Sequence, residues 1–443
     1  MRFVLDILYF LAVGLASPWI LYRLVREGGW SLIPGRLGLI LPERSPATVW
    51  LHGSSVGEVS LLGPLIAELE SGSPDYQLVI SSFTRAGVAA ARARYAAHTV
   101  LPLPFDWTFV VGRVLRRVMP KAIVVVESDI WPNFVSSAQR LSIPVAVINA
   151  KMSERSVSVY ARARVFAPIF ARLSVVAAQT VSHAQRFESL GVPKSHVWVT
   201  GNMKYDLTPP PDSAGMRERF RRQLGLSSRD VVVIGASLHL PEDEAVLDAY
   251  AMLARVLPSA RLIIVPRYPA DGRGMAAHAT ERGFDPCLRS AGATEGVFES
   301  SPAAVLIADT LGELRALYHV ADIAFVGGSL FDRGANKGGH NLMEPAILGI
   351  PVLFGPYNYS FRETVSALLD AKAGLQVESV DDLATGIHRL CVSESDRHAF
   401  GQRAREVVLQ GQGATERNAR LVRQLVAPVA APVPTDDNAA VRH

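Results

Sequence analysis

The chain has 443 residues, two cysteines and a formal net charge of +4, and 49% of its residues are hydrophobic against 19% charged. At about 150 residues per domain, this length predicts two or three domains, and the apolar content excludes a disordered scaffold. Cys287 and Cys391 are far apart, with no second cysteine near either one, which excludes a disulfide framework and a thiolate metal site.

The first predicted element is an N-terminal apolar segment. Phe3 to Tyr22 carries a single charge, at Asp6, and as a helix it would be about 30 Å long, the thickness of a bilayer's hydrocarbon core. The positive-inside rule then predicts a retained anchor, residues 1–26, with the body of the protein in the cytoplasm, because arginines follow the segment at Arg23, Arg26, Arg36 and Arg44. A cleaved signal peptide ending near Ala16 and a tilted or re-entrant segment are the alternative interpretations.

Short apolar runs rich in β-branched residues then alternate with helical periodicity, a pattern typical of parallel sheets covered by helices on both faces. The predicted strands of the first half are Thr48–His52, Gln77–Ser82, Ala122–Val126, Val145–Asn149, Ser174–Ala178 and Val197–Thr200, and those of the second half are Val231–Ala236, Arg261–Val265, Ala304–Ala308, Ile323–Val326 and Pro351–Phe354. Between the halves, residues 208–215 include three consecutive prolines and are predicted to form neither helix nor central strand. The sequence therefore predicts two doubly wound α/β domains that face a cleft, residues 30–207 and 216–426, with 208–215 as the linker and 427–443 as a flexible tail.

Basic residues concentrate between positions 85 and 172, where thirteen Lys or Arg accompany four Asp or Glu. Such a block suits an anionic membrane surface or a phosphorylated substrate. Nucleic acid is the rival partner, but neither zinc-finger spacing nor an RNP-type motif supports it. A solvated face, with Arg stems covering apolar surface, is the structural alternative.

The residues that follow each strand are the candidate site residues, because ligands of open α/β sheets bind beyond the carboxyl ends of the strands. Glu58 lies at the start of a predicted helix, three residues after Ser55, and the pair has the spacing of a capping box. A carboxylate in this place also has access to the cleft, where it would act as a general base on an acceptor hydroxyl. Both interpretations agree with the spacing.

Two more carboxylates, Glu127 and Asp129, directly follow another apolar strand and precede Trp131. They are costly to bury without partners, so they are either bonded to loop amides or functional, and we favour function. Lys204 lies just before the linker, where an ammonium would meet a phosphate or a developing negative charge. An ion pair with Asp206 or Glu127 is the alternative for this lysine.

In the second half, Arg267 follows a strand and carries a guanidinium suited to a phosphate. Thr310 and Glu313 have capping-box spacing, and Asn341 with Glu344 would begin another helix after a glycine-rich approach. Free amides at a helix start form an anion site, and an acidic residue one turn later accepts ribose hydroxyls. This layout predicts a nucleotide-sugar site. Neither GxxxxGK[ST] nor GxGxxG occurs, which disfavours a kinase and a dehydrogenase.

Together the strand-end segments form seven strings in one order: HGSSVGE, ESDIWPN, NAKMSERS, GNMKYD, VPRYP, DTLGEL and GGHNLMEP. Following an N-terminal apolar segment, they resemble the bacterial 3-deoxy-D-manno-octulosonic acid (Kdo) transferases of lipopolysaccharide synthesis, which have the B-type two-domain glycosyltransferase fold. The resemblance covers residues 1–425. It implies transfer of Kdo from CMP-Kdo to a hydroxyl of lipid A precursor at the cytoplasmic face of the inner membrane, inverting the anomeric centre without a metal or other cofactor.

By motif, the resemblance implies Glu58 as the catalytic base, and Glu127 or Asp129, with Lys204, as groups that support the transition state. The residues matching the stretches that hold CMP-Kdo are Pro266, Arg267, Leu311, Gly312, Glu313, Asn341, Leu342, Met343 and Glu344. The implied partners are CMP-Kdo, lipid A precursor and the anionic surface of the inner membrane, without nucleic acid. A B-type glycosyltransferase with another nucleotide sugar and a non-catalytic, membrane-tethered lipid-binding protein are the alternatives.

Several positions depart from the family pattern. The family usually has HAASVGE and ETELWPN, whereas this chain has Gly53 and Ser54 in the first string and the shorter Asp129 in the second. The loop Ser329–Gly338 is longer and more charged than the family pattern predicts, and Leu238 precedes His239 where the family tends to have threonine. The last two changes lie near the predicted donor site, which is why another nucleotide sugar is kept as an alternative.

Overall fold

The computed structural model describes residues 29–42, 47–71, 74–162, 167–207, 212–292, 294–334 and 338–427. The predicted anchor, residues 1–26, lies outside these ranges, as do residues 208–211 of the predicted linker and residues 428–443 of the predicted tail. No helix within the described ranges combines the length and the apolar character needed to cross a bilayer.

The chain divides into two compact units. Unit 1 extends to Asp206 and resumes at Gln412, and unit 2 comprises Leu207–Gly411. Ser213 to Gly215, which the sequence analysis placed in the linker, instead begin a helix, because the carboxylate of Asp212 accepts a hydrogen bond of 3.1 Å from the amide of Gly215 and caps it.

Unit 1 is built around a parallel sheet of seven strands in the order β3-β2-β1-β4-β5-β6-β7. The strands are β1 (Thr48–His52), β2 (Gln77–Ser82), β3 (Thr99–Pro102), β4 (Ala122–Val126), β5 (Val145–Ala150), β6 (Val175–Ala178) and β7 (Val197–Val199). The helices are α1 (Ile33–Arg36), α2 (Val56–Glu70), α3 (Arg85–Arg94), α4 (Thr108–Val118), α5 (Pro132–Arg140), α6 (Glu154–Arg162), α7 (Ala167–Phe170) and α8 (Val181–Ser189).

Strand β4 shows why these apolar runs form a central strand. All five of its residues are buried, and successive side chains point to opposite faces of the sheet. Ile123 and Val125 pack into the hydrophobic core on one face, and Val124 and Val126 pack into the core on the other. A parallel strand covered on both faces therefore needs a continuous apolar run, as the sequence analysis assumed.

Unit 2 has a second parallel sheet of seven strands, in the order β10-β11-β9-β8-β12-β13-β14. The strands are β8 (Val231–Leu238), β9 (Ala260–Pro266), β10 (Asp285–Leu288), β11 (Ala304–Ile307), β12 (Ile323–Val326), β13 (Val352–Phe354) and β14 (Gly374–Gln376). The helices are α9 (Ser213–Gln223), α10 (Glu242–Ala254), α11 (Gly272–Glu281), α12 (Val297–Ser300), α13 (Leu314–Leu317), α14 (Met343–Ile347), α15 (Arg362–Asp370), α16 (Val380–Val392) and α17 (Glu394–Gln410). Strand β9 again alternates between two cores, with Leu262 and Ile264 on one face and Ile263 and Val265 on the other.

Three strands were not predicted from the sequence: β3, β10 and β14. Each lies at an edge of its sheet and carries more exposed or half-buried residues than a central strand such as β4, which is fully buried. An edge strand needs no continuous apolar run, so the pattern that identifies central strands is missing there.

The last helix in the described ranges, α18 (Ala414–Val426), belongs to unit 1, although it was predicted to be part of the second domain, residues 216–426. Its apolar residues Leu421 and Val422 join the core under α2. The carboxylate of Asp206 accepts hydrogen bonds from the amides of Gly413 (2.6 Å) and Thr415 (2.5 Å). The chain therefore returns to the first unit before it ends.

Candidate active site

The carboxyl ends of strands β1, β4 and β5 meet at one edge of the unit 1 sheet, as expected for neighbouring parallel strands. This edge carries three of the predicted catalytic residues: Glu58 after β1, and Glu127 and Asp129 after β4. Lys204, the fourth, reaches the same edge through an ion pair with Glu127. The structure thus brings the four predicted catalytic residues together within one unit.

Glu58 lies in the first turn of α2, which Ser55 caps by accepting a hydrogen bond of 3.3 Å from the Glu58 amide. The Glu58 carboxylate accepts one bond from the Ser54 amide (2.7 Å) and one from the Ser55 hydroxyl (3.0 Å). Space at position 53 is tight, because a Cβ there would lie 3.0 Å from the carbonyl carbon of Glu58. The capping box exists, and the half-buried carboxylate also stands at the strand-end edge.

The environment of Glu58 favours its protonated form. Burial raises the pKa of Glu58, and the negative charge of Glu127 raises it further. Hydrogen bonds from Ser54 and Ser55 act in the opposite direction and do not cancel the rise. A carboxyl group with a raised pKa is suited to proton transfer.

Asp129 lies among hydrogen-bond donors. Its Oδ2 accepts from Trp131 Nε1 (2.8 Å), from His52 Nε2 (3.2 Å) and from the hydroxyl of Ser54. His52 is 1% exposed and contacts the hydroxyl of Ser81 through Nδ1 at 2.8 Å. We refer to Asp129, His52, Ser54 and Trp131 as the Asp129 cluster.

The pKa of Asp129 is shifted in the opposite direction to the pKa of Glu58. Burial by itself would raise its pKa, but the hydrogen bonds from His52, Ser54 and Trp131 and the charge interaction with His52 together hold the pKa of Asp129 below its ordinary value. The edge therefore holds two nearby carboxylates whose pKa values are moved apart. Such a pair indicates two different chemical roles.

Glu127 is held in an uncommon backbone conformation, with φ at +69°, which costs a non-glycine residue roughly 1–3 kcal/mol. Its amide donates to Ile148 in β5 (2.9 Å), and only 7% of the residue is exposed. One carboxylate oxygen pairs with Lys151 (2.5 Å) and the other with Lys204 (3.3 Å). A buried carboxylate thus holds two ammonium groups at the edge.

At the carboxyl edge of the unit 2 sheet, Glu242 lies in the first turn of α10, after β8. It is 2% exposed, and its carboxylate accepts four backbone amides. Those of His239 (3.1 Å) and Gly328 (2.6 Å) bond to one oxygen, and those of Ser329 (2.8 Å) and Leu330 (2.9 Å) bond to the other. Glu242 therefore fixes the glycine-rich loop that follows β12.

Two histidines lie beside this loop. The rings of His239 and His340 are stacked, and their Nε2 atoms are 2.9 Å apart. Burial lowers the pKa of His340 to about 3, with further lowering by His239, Arg267 and Arg333. Burial also lowers the pKa of His239, and Arg333 and Arg267 act in the same direction. The two arginines give this edge of unit 2 positive charge.

The predicted donor-binding residues occupy several environments. Arg267 is exposed, and its guanidinium lies 5.6 Å from the ring of Tyr268. Leu311 is 82% exposed, and Gly312, which follows it, has a φ of +87°. Glu313 accepts from the hydroxyl of Thr310 and pairs with Arg289 at 3.3 Å.

The GGHNLMEP segment differs from the helix start expected from its sequence. The side chain of Asn341 accepts the amide of Met343 (3.1 Å), and Glu344 pairs with Arg315 (3.1 Å). The helix is only five residues long. Leu342 and Met343 are fully buried, and Pro266 at the end of β9 is buried too, so the side chains of these residues belong to the core.

Sequence reasoning missed several residues of both edges: His52, Ser54, Lys151, His239, Glu242 and His340. All of them lie at or just after a strand end or in a glycine-rich loop, which is the signal that would have identified them. Within the described ranges, no three His, Cys, Asp or Glu side chains come together as metal ligands do.

The edge of unit 1 has the groups needed to deprotonate a hydroxyl and to hold anionic or hydroxyl groups nearby. Comparison with known proteins identifies the class of reaction. The family model for 3-Deoxy-D-manno-octulosonic-acid transferase (kdotransferase) matches residues 32–207. A 3-deoxy-D-manno-octulosonic acid transferase of Haemophilus influenzae is 31% identical over 377 residues, which is 84% of this chain and 86% of that protein. The chain belongs to the Kdo transferase family.

Further comparisons extend this assignment along the chain. The Kdo transferase of Chlamydia muridarum is 30% identical over 425 residues, or 93% of this chain and 94% of that protein. Among solved structures, UDP-GlcNAc 2-epimerase from Neisseria meningitidis has a TM-score of 0.57 at 15% identity, covering 85% of this chain and all of that one. Such low identity shows the fold alone: paired α/β units of the kind found in B-type glycosyltransferases. This Kdo transferase is a glycosyltransferase.

Proposed function

We propose that this Kdo transferase moves Kdo from CMP-Kdo to a hydroxyl of lipid A precursor at the cytoplasmic face of the inner membrane, with Glu58 as the general base. The observation that carries the proposal is the state of Glu58. It stands at a strand-end edge, the described part of the chain gives its carboxylate two donors, and its pKa is raised by burial and by Glu127. A carboxylate of this kind is able to accept a proton from an incoming hydroxyl.

In the proposed reaction, an acceptor hydroxyl gives its proton to the Glu58 carboxylate while its oxygen attacks the anomeric carbon of Kdo. The bond from that carbon to the phosphate oxygen breaks, and CMP leaves with the electron pair. Attack from the face opposite the leaving group inverts the anomeric centre. Lys151 and Lys204, held by Glu127, supply positive charge at the edge where negative charge develops.

The charge of unit 2 supports an anionic donor. Arg267 and Arg333 are exposed and lie close enough to His239 and His340 to lower the pKa values of both. Arginine binds phosphate oxygens through paired N–H donors. We propose that these arginines and the loop fixed by Glu242 bind the phosphate of CMP-Kdo and stabilise the departing CMP.

An apolar and basic surface on unit 1 supports the membrane location. Large exposed side chains lie in the segment before β1, at Trp30, Leu39 and Ile40, and at the start of α4, at Phe109. On the same α4, Arg113, Arg116 and Arg117 are exposed, and Arg117 bonds to the carbonyl of Pro42 (3.1 Å). Exposed apolar side chains together with arginines suit the headgroup region of an anionic membrane.

The reaction is tested with the purified full-length protein, CMP-Kdo and tetra-acylated lipid A precursor. We expect release of CMP and a lipid product heavier by one or more Kdo residues, detected by mass spectrometry. Absence of both, in a mixture where a known Kdo transferase is active, would refute the proposed donor and acceptor.

Donor identity is tested separately by thermal shift with CMP, UDP and GDP. We expect CMP to stabilise the protein most, because its cytosine would be the base that this donor site accepts. Selective stabilisation by UDP or GDP would instead support a transferase with another nucleotide sugar. Binding of lipid without binding of any nucleotide would support the non-catalytic alternative.

The membrane surface is tested by comparing activity on acceptor in phosphatidylglycerol vesicles with activity on acceptor in detergent micelles. Arg113→Glu reverses one charge on α4 and is expected to lower the vesicle activity severalfold with little change in micelles, since one basic residue contributes about 1 kcal/mol near an anionic surface. Arg92→Glu, the same change at an exposed residue of α3, is the matched control. Equal losses in both variants would contradict the assignment of α4 to the membrane.

A further inference from the structure

The two oxygens of Asp129 have unequal surroundings. Oδ2 accepts three hydrogen bonds, from His52, Ser54 and Trp131. Among the described residues, no donor bonds to Oδ1, although 31% of the Asp129 side chain is exposed. One oxygen is therefore saturated by the protein, and the described residues leave the lone pairs of the other available.

A chain of buried groups fixes this orientation. The indole N–H of Trp50 donates to the hydroxyl of Ser81 (2.7 Å), and that hydroxyl contacts Nδ1 of His52 (2.8 Å). The Nε2 atom of His52 faces a carboxylate oxygen, which can only accept, so Nε2 carries a hydrogen in either charge state of the ring. Because Trp50, Ser81 and His52 are all at most 1% exposed, the donor aimed at Oδ2 has little freedom to move.

Asp129 also lies directly beside the proposed base. Ser54 links the two carboxylates, since its amide donates to Glu58 Oε2 and its hydroxyl donates to Asp129 Oδ2. The hydrogen bonds to Asp129 stabilise its ionised form, so it accepts hydrogen bonds and does not take up protons at neutral pH. An ionised carboxylate with one free oxygen is a typical partner for a sugar hydroxyl.

We propose that Asp129 binds a sugar hydroxyl through its free oxygen Oδ1 and so positions the reacting sugar against Glu58, and that His52 is the positioning residue that holds the carboxylate in place. The inference rests on the proposed function, because it assumes that a sugar occupies the edge beside Glu58. Two sources have the required chemistry: the transferred Kdo and the acceptor. The KM values of Asp129→Asn for the two substrates separate these sources.

Asp129→Asn tests the role of Oδ1 directly. Three donors point at the position of Oδ2, so the amide oxygen of asparagine must take that position and its NH2 group must replace Oδ1. The variant keeps the Asp129 cluster and changes the outward group from an acceptor to a donor. We expect kcat/KM to fall about 10- to 100-fold, as for loss of a hydrogen bond to a charged group, with an unchanged melting temperature and unchanged CMP affinity.

The substrate whose KM rises identifies the sugar that Oδ1 binds. A rise in the KM for the acceptor places Oδ1 on the acceptor, and a rise in the KM for CMP-Kdo places it on the transferred sugar. Asp75→Asn is the matched control, because it makes the same change at an exposed carboxylate of unit 1. Wild-type kinetics in Asp129→Asn would overturn the inference, and so would a loss equal to that of the control.

His52 is tested by two substitutions. Leucine removes the donor to Oδ2, and glutamine restores an N–H donor of similar reach. We expect His52→Leu to raise the same KM that Asp129→Asn raises, and His52→Gln to recover most of the loss. Equal losses in both variants, accompanied by equal falls in melting temperature, would show a structural role only.

The proposed function and this inference fail in different ways. If the wild type releases no CMP from CMP-Kdo, the proposed function fails, and the inference is judged by calorimetric binding of free Kdo and of acceptor lipid in micelles. Weaker binding of either one to Asp129→Asn than to wild type supports it. Binding to the variant that equals binding to wild type overturns it.

Discussion

The two sheets place a glutamate at corresponding points and use it differently. Glu58 and Glu242 each lie in the first turn of the helix that follows the first strand of its unit. Glu58 accepts one donor on each oxygen, and Glu242 accepts two backbone amides on each oxygen. A strand-end position therefore does not by itself distinguish a chemical carboxylate from a structural one, whereas the number of donors does.

The difference has a physical basis. Four amides leave the carboxylate of Glu242 no free lone-pair direction for a substrate, and the residue is almost completely buried. Two donors leave the half-buried Glu58 able to accept another proton. The same isosteric change, glutamate to glutamine, is therefore expected to have opposite consequences at the two positions.

Glu58→Gln is expected to have the largest effect on catalysis. Glutamine retains both local hydrogen bonds, since its oxygen accepts from the Ser54 amide and its NH2 group donates to the Ser55 hydroxyl. It does not accept the acceptor's proton, so kcat should fall about 10²- to 10⁴-fold. Initial-rate measurements test this, and CMP affinity, which should stay at the wild-type value, is the control. Transfer at more than a tenth of the wild-type rate would remove Glu58 from the role of base.

Glu242→Gln is expected to act on stability. Each carboxylate oxygen faces two N–H groups, so the NH2 group of glutamine must point at two donors and leave them unsatisfied. We expect a loss of roughly 2–4 kcal/mol in the free energy of unfolding, measured by urea denaturation. Affinity for CMP should fall as well, because the loop from Gly328 to Leu330 loses its anchor. A fully stable variant with normal CMP affinity would contradict the structural role.

A third substitution sharpens the electrostatic part of the comparison. The negative charge of Glu127 is, after burial, the next cause of the raised pKa of Glu58. A general base works when it is deprotonated, so activity rises with pH through the pKa of Glu58. Glu127→Gln should lower that pKa and move the acid limb of the kcat/KM profile to lower pH. The quantity measured is the pH at which the acid limb of the kcat/KM profile lies, and a change in the maximal rate does not affect this comparison. An unmoved limb would show that Glu127 does not influence the base.

The central strands of both sheets were predictable from the sequence, because a parallel strand buried on both faces requires a continuous apolar run such as Ala122–Val126. Edge strands such as Asp285–Leu288 lack this requirement. The return of α18 to unit 1 was also hidden. It depends on Asp206 capping a helix more than two hundred residues later in the chain, and no local pattern encodes that pairing.

For the candidate site, the sequence identified the carboxylates and two of their partners, Ser55 for Glu58 and Lys204 for Glu127, but not the partners of Asp129. Glu58, Glu127 and Asp129 follow apolar strands, and that position is visible in the chain. Two of the three donors that hold down the pKa of Asp129, His52 and Ser54, come from β1 and the loop after it. His52 and Ser54, which bond to Asp129, precede it in the sequence by 77 and 75 positions. Only the folded sheet brings these groups together, so the opposite states of Glu58 and Asp129 could not be derived from the motifs.

The smallest expected effect is on the stability of the protein and comes from the raised pKa of Glu58. Its pKa is raised in the folded protein, so the folded state binds the proton more tightly than the unfolded state does. Stability from this group is therefore present below the unfolded pKa and is lost as the pH rises through the folded pKa. At pH 7 the ionised, half-buried Glu58 therefore costs stability, and Glu58→Gln removes this cost. The melting temperature of Glu58→Gln should exceed that of wild type at pH 7 and converge with it near pH 4. Glu154→Gln, at an exposed carboxylate of α6, is the control. A lower melting temperature for Glu58→Gln at pH 7 would mean that the ionised carboxylate of Glu58 stabilises the fold.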